Sequence, residues 1–111
     1  MREIEEKDFS KEVEKGVTLV DLFATWCMPC RMMGQILEDV AGEMGDKVNI
    51  VKVDVDKNEN LAKEYGVMSI PTLCIFKDGK EQEKHIGVWQ FEDCVNTLKK
   101  YLWFNKFRYF Y

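Results

Sequence analysis

The chain has 111 residues, enough for one ordinary domain with its own core. Apolar residues make up 46% of it, which excludes disorder, and a formal net charge of −4 without long runs of like charge argues against nucleic acid, whose phosphates need clustered Lys and Arg. The charged opening MREIEEKDFS has no apolar signal-peptide core and no stretch approaches a membrane span, so a soluble, cytoplasmic protein is expected.

In chain order, Arg2–Glu5 reads as a short first strand and Phe9–Lys15 as a helix closed by Gly16. Val17–Phe23 is mostly apolar and partly β-branched, the pattern of a central strand covered on both faces. Beyond Cys30, residues Met32, Met33, Ile36, Leu37, Val40, Ala41 and Met44 recur with the 3.6-residue period of a long helix. Val48–Val55 is a further buried strand, and Glu59–Tyr65 a short helix closed by Gly66. Thr72–Lys77 is another strand, and Asp78-Gly79 signals a hairpin into Glu81–Ile86. Glu92–Leu102 is the last helix, with Phe91, Val95, Leu98 and Leu102 as its apolar stripe. This alternation predicts an α/β fold, a central mixed β-sheet flanked by helices on both faces.

Four cysteines carry the chemistry: Cys27, Cys30, Cys74 and Cys94. A secreted disulfide scaffold would have more of them in a shorter chain, and a zinc ribbon would have a second close pair. The strand Val17–Phe23 leads through Ala24-Thr25-Trp26 into Cys27-Met28-Pro29-Cys30, so the CxxC sits where a strand hands over to a helix. Free N–H groups and the positive end of the helix dipole there favour a thiolate, the nucleophilic form. Residues three apart in a helical turn have Cβ atoms about 5–6 Å apart, so the pair can close into a disulfide. Pro29 is tolerated in a first helical turn, and Trp26 offers an amphipathic aromatic to a substrate. Half of a metal site, or two merely buried thiols, is the competing reading.

Several spaced motifs extend this pattern: Val20-Asp21-Leu22-Phe23-Ala24, Trp26-Cys27-Met28-Pro29-Cys30, Lys52-Val53-Asp54-Val55-Asp56, Tyr65-Gly66-Val67, Ile70-Pro71-Thr72, Phe76-Lys77-Asp78-Gly79 and Ile86-Gly87. In these the chain resembles the thioredoxin family across roughly residues 2–102. The resemblance implies a thioredoxin fold over residues 1–102 and a protein dithiol–disulfide oxidoreductase. Cys27 then matches the attacking thiol and Cys30 the resolving thiol. Asp21 matches a buried proton acceptor, Lys52 its charged neighbour and Pro71 a cis-proline facing the cysteines. Trp26, Met28, Pro29, Ile70 and Gly87 would join Pro71 in contacting substrate. The implied partners are disulfide-containing substrate proteins and a thioredoxin reductase. No metal and no cofactor beyond the redox-active Cys27–Cys30 disulfide is expected.

The residues leave alternatives open. An Asp inside an apolar strand is costly unless paired or protonated, and burial raises its pKa; a strand end in water is the lesser alternative for Asp21. Lys52 could be a solvated strand residue, and Ile70-Pro71 an ordinary trans turn, since only about 5–6% of X–Pro bonds are cis. Met28 stands where the family usually has Gly and puts the redox poise in question, which keeps a disulfide oxidase or isomerase in view. Cys74 reads as a small buried core residue, Cys94 as a structural or spare thiol, and His85 as a surface residue on an edge strand. Asp54 and Asp56 share a strand face, in a capping or solvated role before a metal-binding one. The segment 103–111 is an aromatic-rich extension, and Tyr101–Tyr111 holds seven of the chain's fourteen aromatics. Continuing the last helix and folding onto the body, self-association, or a membrane-surface contact through Lys106 and Arg108 are its open roles. The tail also favours the rival function, a non-catalytic interaction module.

Overall fold

The computed structural model describes the backbone of residues 1–108 and the side chains through Leu102. Of the tail's aromatics Tyr101 is described, packed on the core with its hydroxyl donating to Glu83 Oε1 at 3.0 Å, and the roles considered for the others concern side chains outside the described residues. The strands are β1 (Arg2–Glu3), β2 (Val17–Phe23), β3 (Val48–Asp54), β4 (Thr72–Lys77) and β5 (Lys80–Ile86). The helices are α1 (Phe9–Glu12), α2 (Met28–Met44), α3 (Glu59–Glu64) and α4 (Phe91–Arg108). The sheet order is β1-β3-β2-β4-β5. β3 pairs parallel with β1 and β2, and β4 pairs antiparallel with β2 and β5.

β2 is central, and its first six residues are all buried. Alternation divides its side chains between two cores. Val17 and Leu19 join Leu73 and Ile75 of β4 against Met33 and Leu37 of α2 and Leu98 of α4. Val20 and Leu22 face the other way with Cys74, Phe76, Phe9 and Leu61. There Phe9, Tyr65 and Phe76 form a mutual cluster with ring centroids 5.2 to 5.5 Å apart. Edge strand β5 is mostly exposed and charged, which discourages pairing with another sheet edge.

Two helices differ from the sequence expectation. α1 is one turn, preceded by a 3-10 turn over Glu6–Asp8, and it stops short of Lys15. The β4–β5 turn claims the chain that follows: Gly79 N–H donates to the Val13 carbonyl at 2.8 Å, and Gly16 N–H to Asp78 Oδ1 at 2.8 Å. α4 instead runs past Leu102 to Arg108. No Gly or Pro lies between Gln90 and Tyr111 to stop it.

His85 is half-buried rather than a surface residue. Its ring stacks on Trp89 at 4.6 Å, 6° from parallel. Cys74 and Cys94 are both free and buried, on opposite faces of the sheet.

Candidate active site

The site forms at the end of β2. Cys27 is the N-cap of α2, in extended backbone, and its Sγ accepts the Cys30 N–H at 3.2 Å. Met28 and Pro29 complete the first turn, where an N–H has no intrahelical acceptor, so Pro29 removes no helical bond. Cys27 and Cys30 are joined as a disulfide, with Cα atoms 5.2 Å apart. Both are 5% exposed and sit among Phe23, Ala24, Val55 and Ile70. Burial alone therefore does not rank them. The difference is position: the cap sulfur of Cys27 faces the unsatisfied N–H groups of the helix start.

Two further segments close over the pair. The Ile70–Pro71 peptide is cis, and the Ile70 carbonyl oxygen lies 3.9 Å from Cys27 Sγ. Gly87 N–H donates to the Pro71 carbonyl at 2.8 Å, which ties the end of β5 to this segment. Gly87 has φ +93°, a conformation that favours glycine. Trp26 and Met28 are exposed beside the disulfide. All six residues expected to contact substrate thus lie around Cys27 or in the segments closing on it.

Asp21 faces α2 from the middle of the sheet and is 2% exposed. Burial pushes its carboxyl up to about 7, and the positive charge of Lys52 opposes that rise. Lys52 is its register partner on β3. The Lys52 ammonium stands 5.1 Å over the Phe23 ring, and no ion pair with Asp21 is formed among the described residues. Asp21 Oδ1 is buried without a hydrogen-bond partner. A cleft of about 460 Å³ joins Asp21, Cys30 and Lys52 to Gly34 and Glu38 of α2.

Four further residues border the site. Asp56 Oδ2 accepts the Trp26 indole N–H at 2.8 Å. Met68 is 96% exposed and lines a groove of about 340 Å³ with Trp26, Val67 and Ile70. Gly34 and Glu38 line the cleft over Asp21. The carboxylates Asp54 and Asp56 both have structural work: Asp54 Oδ1 caps the Asp56 N–H at 2.9 Å, while Asp56 holds Trp26.

The thioredoxin family model matches residues 1–100 of the sequence. The chain belongs to the thioredoxin family. Thioredoxins of Staphylococcus epidermidis and Staphylococcus aureus are each 46% identical to it over 99 residues, covering 89% of this chain and 95% of theirs. Among solved structures, chloroplastic thioredoxin z superposes with a TM-score of 0.84 at 29% identity, covering 90% of this chain and 92% of that one. Thioredoxin from Malassezia sympodialis gives 0.81 at 30% identity, covering 90% and 91%. The fold is the thioredoxin fold, as the motifs imply. The protein is a dithiol–disulfide oxidoreductase with a CxxC active site and protein-disulfide reductase activity. Among the described residues no helix is long and apolar enough to cross a membrane.

Proposed function

We propose that Cys27 attacks the substrate disulfide and Cys30 resolves the product. The Cys27 thiolate bonds to one substrate sulfur, and the other leaves as a thiolate that takes a proton. Cys30 gives its thiol proton to the Asp21 carboxylate and attacks Cys27 Sγ. The Cys27–Cys30 bond forms as the bond from Cys27 to the substrate breaks, and the second substrate sulfur leaves as a thiolate that also takes a proton from water. Two electrons and two protons have then passed to the substrate. The observation carrying this order is the Cys30 N–H held on Cys27 Sγ at the helix start.

Asp21 suits the acceptor role because a carboxyl poised at about 7 can both take and release a proton at neutral pH. Lys52 tunes it by charge across the β2–β3 pair. Trp26, Met28, Pro29, Ile70, Pro71 and Gly87 form the substrate-contacting rim. Partners are disulfide-containing proteins as substrates and a thioredoxin reductase as electron donor, in the cytoplasm. Residues 1–102 are the catalytic unit and 103–111 an extension, so truncation after Leu102 leaves turnover intact.

The test is insulin reduction with dithiothreitol. Wild type turns over, Cys27→Ser does not, and Cys30→Ser accumulates a mixed disulfide visible by mass spectrometry. Equal rates for wild type and Cys27→Ser would refute the assignment.

A further inference from the structure

Gly34 and Glu38 take no part in the thiol exchange, yet they line the cleft that reaches Asp21. On α2, Cys30, Gly34 and Glu38 stand at i, i+4 and i+8, one behind another on a single helix face. At 1.5 Å per residue that row is about 12 Å long. Its middle position has no side chain. Asp21 and Lys52 face the row from the sheet.

Glycine inside a helix is a poor choice against alanine. Gly34 needs no positive φ, and an added Cβ would meet nothing within 4 Å, so neither backbone nor packing demands it. What its absent side chain leaves is space in the cleft that Asp21 also lines, and one Asp21 oxygen, Oδ1, is buried without a partner. The cleft's volume of about 460 Å³ is many times the roughly 30 Å³ share of one water molecule, so it has room for water against the Asp21 carboxyl that lines its wall.

We infer that Gly34 holds open a water lane along α2, through which the proton left on Asp21 reaches solvent beside Glu38. This rests on Asp21 being the proton acceptor proposed above. In the step concerned, the Asp21 O–H bond breaks, the proton passes to water in the lane, and no electron moves. Gly34 is a positioning residue, because it touches neither sulfur nor substrate. The titratable and charged groups lining the cleft with Asp21 are Cys30, Arg31 and Glu38 on α2, Lys52 on β3, and Met1 with its α-amino group.

The test uses full-length Gly34→Leu and Gly34→Ala, with Gly42→Leu as the control, since Gly42 lies on the exposed side of α2 outside the cleft. Two readouts are taken on reduced protein: the Asp21 titration midpoint from its ¹³C carboxyl signal, and the pH profile of disulfide reduction. Gly34→Leu raises the midpoint and slows turnover at neutral pH roughly tenfold, less than the about hundredfold or more that a positioned proton-transfer group itself contributes, because Asp21 is still present. Gly34→Ala shifts both less, and Gly42→Leu shifts neither. A folded Gly34→Leu whose Asp21 titrates as in wild type overturns the lane. Where Gly34→Leu fails to fold, Gly34→Ala decides on the same readout. Asp21→Asn is assayed beside them. Wild-type turnover by that variant at every pH removes the acceptor reading and with it the lane's use in turnover, while the Asp21 titration still decides whether Gly34 keeps water on Asp21.

Discussion

Cys27 and Cys30 differ from Cys74 and Cys94 in almost everything except burial. All four are at most 5% exposed. Cys27 caps a helix, receives an N–H on its sulfur and has a partner three residues away. Cys74 and Cys94 lie in separate cores on opposite faces of the sheet, so they cannot pair with each other. Burial pushes both of these thiols up to about 12. Burial in an apolar core therefore makes a thiol inert, whereas the equally buried Cys27 sulfur has the Cys30 N–H directed onto it at the helix start. Reactivity here is decided by which groups surround the sulfur, not by how much of it water reaches.

The strongest way to break this contrast is to exchange the pairs' importance. Cys27→Ser should lower insulin reduction at least about a thousandfold, as loss of a nucleophile does. Cys74→Ala should leave kcat/KM within about twofold of wild type, since its sulfur packs and does not react. Comparable losses at the two positions would end the distinction.

Asp21 is what Cys30 has nearby and Cys94 lacks. Its carboxyl ordinarily titrates at 3.8 and stands at about 7 in the folded protein. Between those values the folded chain holds a proton that the unfolded chain has released. Its contribution to stability is thus complete below pH 4 and is lost as pH rises to about 7. At 1.36 kcal/mol per unit this amounts to about 4 kcal/mol. Asp21→Asn should remove that slope, so the stability difference between variant and wild type grows in the variant's favour from pH 4 to pH 8. Urea unfolding of the oxidised proteins at both pH values measures it. A pH-independent difference would mean that Asp21 is ionised throughout.

A smaller effect concerns labelling. With a thiol at about 12, roughly one molecule in ten thousand carries the thiolate at pH 8. Iodoacetamide on the reduced native protein should modify Cys27 at least about a hundredfold faster than Cys74 or Cys94. In denaturant the gap should vanish. Cys94→Ser extends the point to stability: a hydroxyl placed without a partner in that core should cost about 1–3 kcal/mol, with turnover per folded molecule unchanged. Thermal or urea unfolding reads the loss.

These contrasts also mark what the sequence could disclose. β2 and β4 match their expected bounds because each is an apolar run with its own punctuation, Gly16 before one and Pro71 and Asp78-Gly79 around the other. The CxxC and Asp21 are legible because helix start and apolar strand are local features. α1 was expected longer because its end is set by hydrogen bonds from the turn at Asp78 and Gly79, more than sixty residues away. α4 was expected shorter because the family pattern, rather than a stop signal, placed its end at Leu102. The contacts of Asp56, Met68, Gly34 and Glu38 are not legible in the sequence for the same reason as the end of α1. Each matters only through a neighbour contributed by another element, such as Trp26, thirty positions before Asp56.

Asp56 supplies the finest test, because it touches the rim of the reactive pair and not the sulfurs. Trp26 is 70% exposed, and its indole N–H on Asp56 Oδ2 holds the ring against the turn after β3. In Asp56→Ala the ring is freed to move, so substrate meets a less ordered surface. Losing this one exposed bond should raise KM about threefold with kcat unchanged, equivalent to about 0.6 kcal/mol of binding. Asp56→Asn keeps an acceptor oxygen without the charge and should retain most of the wild-type KM. Insulin titrations of the three proteins separate the possibilities. A fall in kcat at constant KM would instead place Asp56 in the thiol chemistry. The sulfur's reactivity would then depend on charge beyond the helix start, and the contrast with Cys74 and Cys94 would need that second cause.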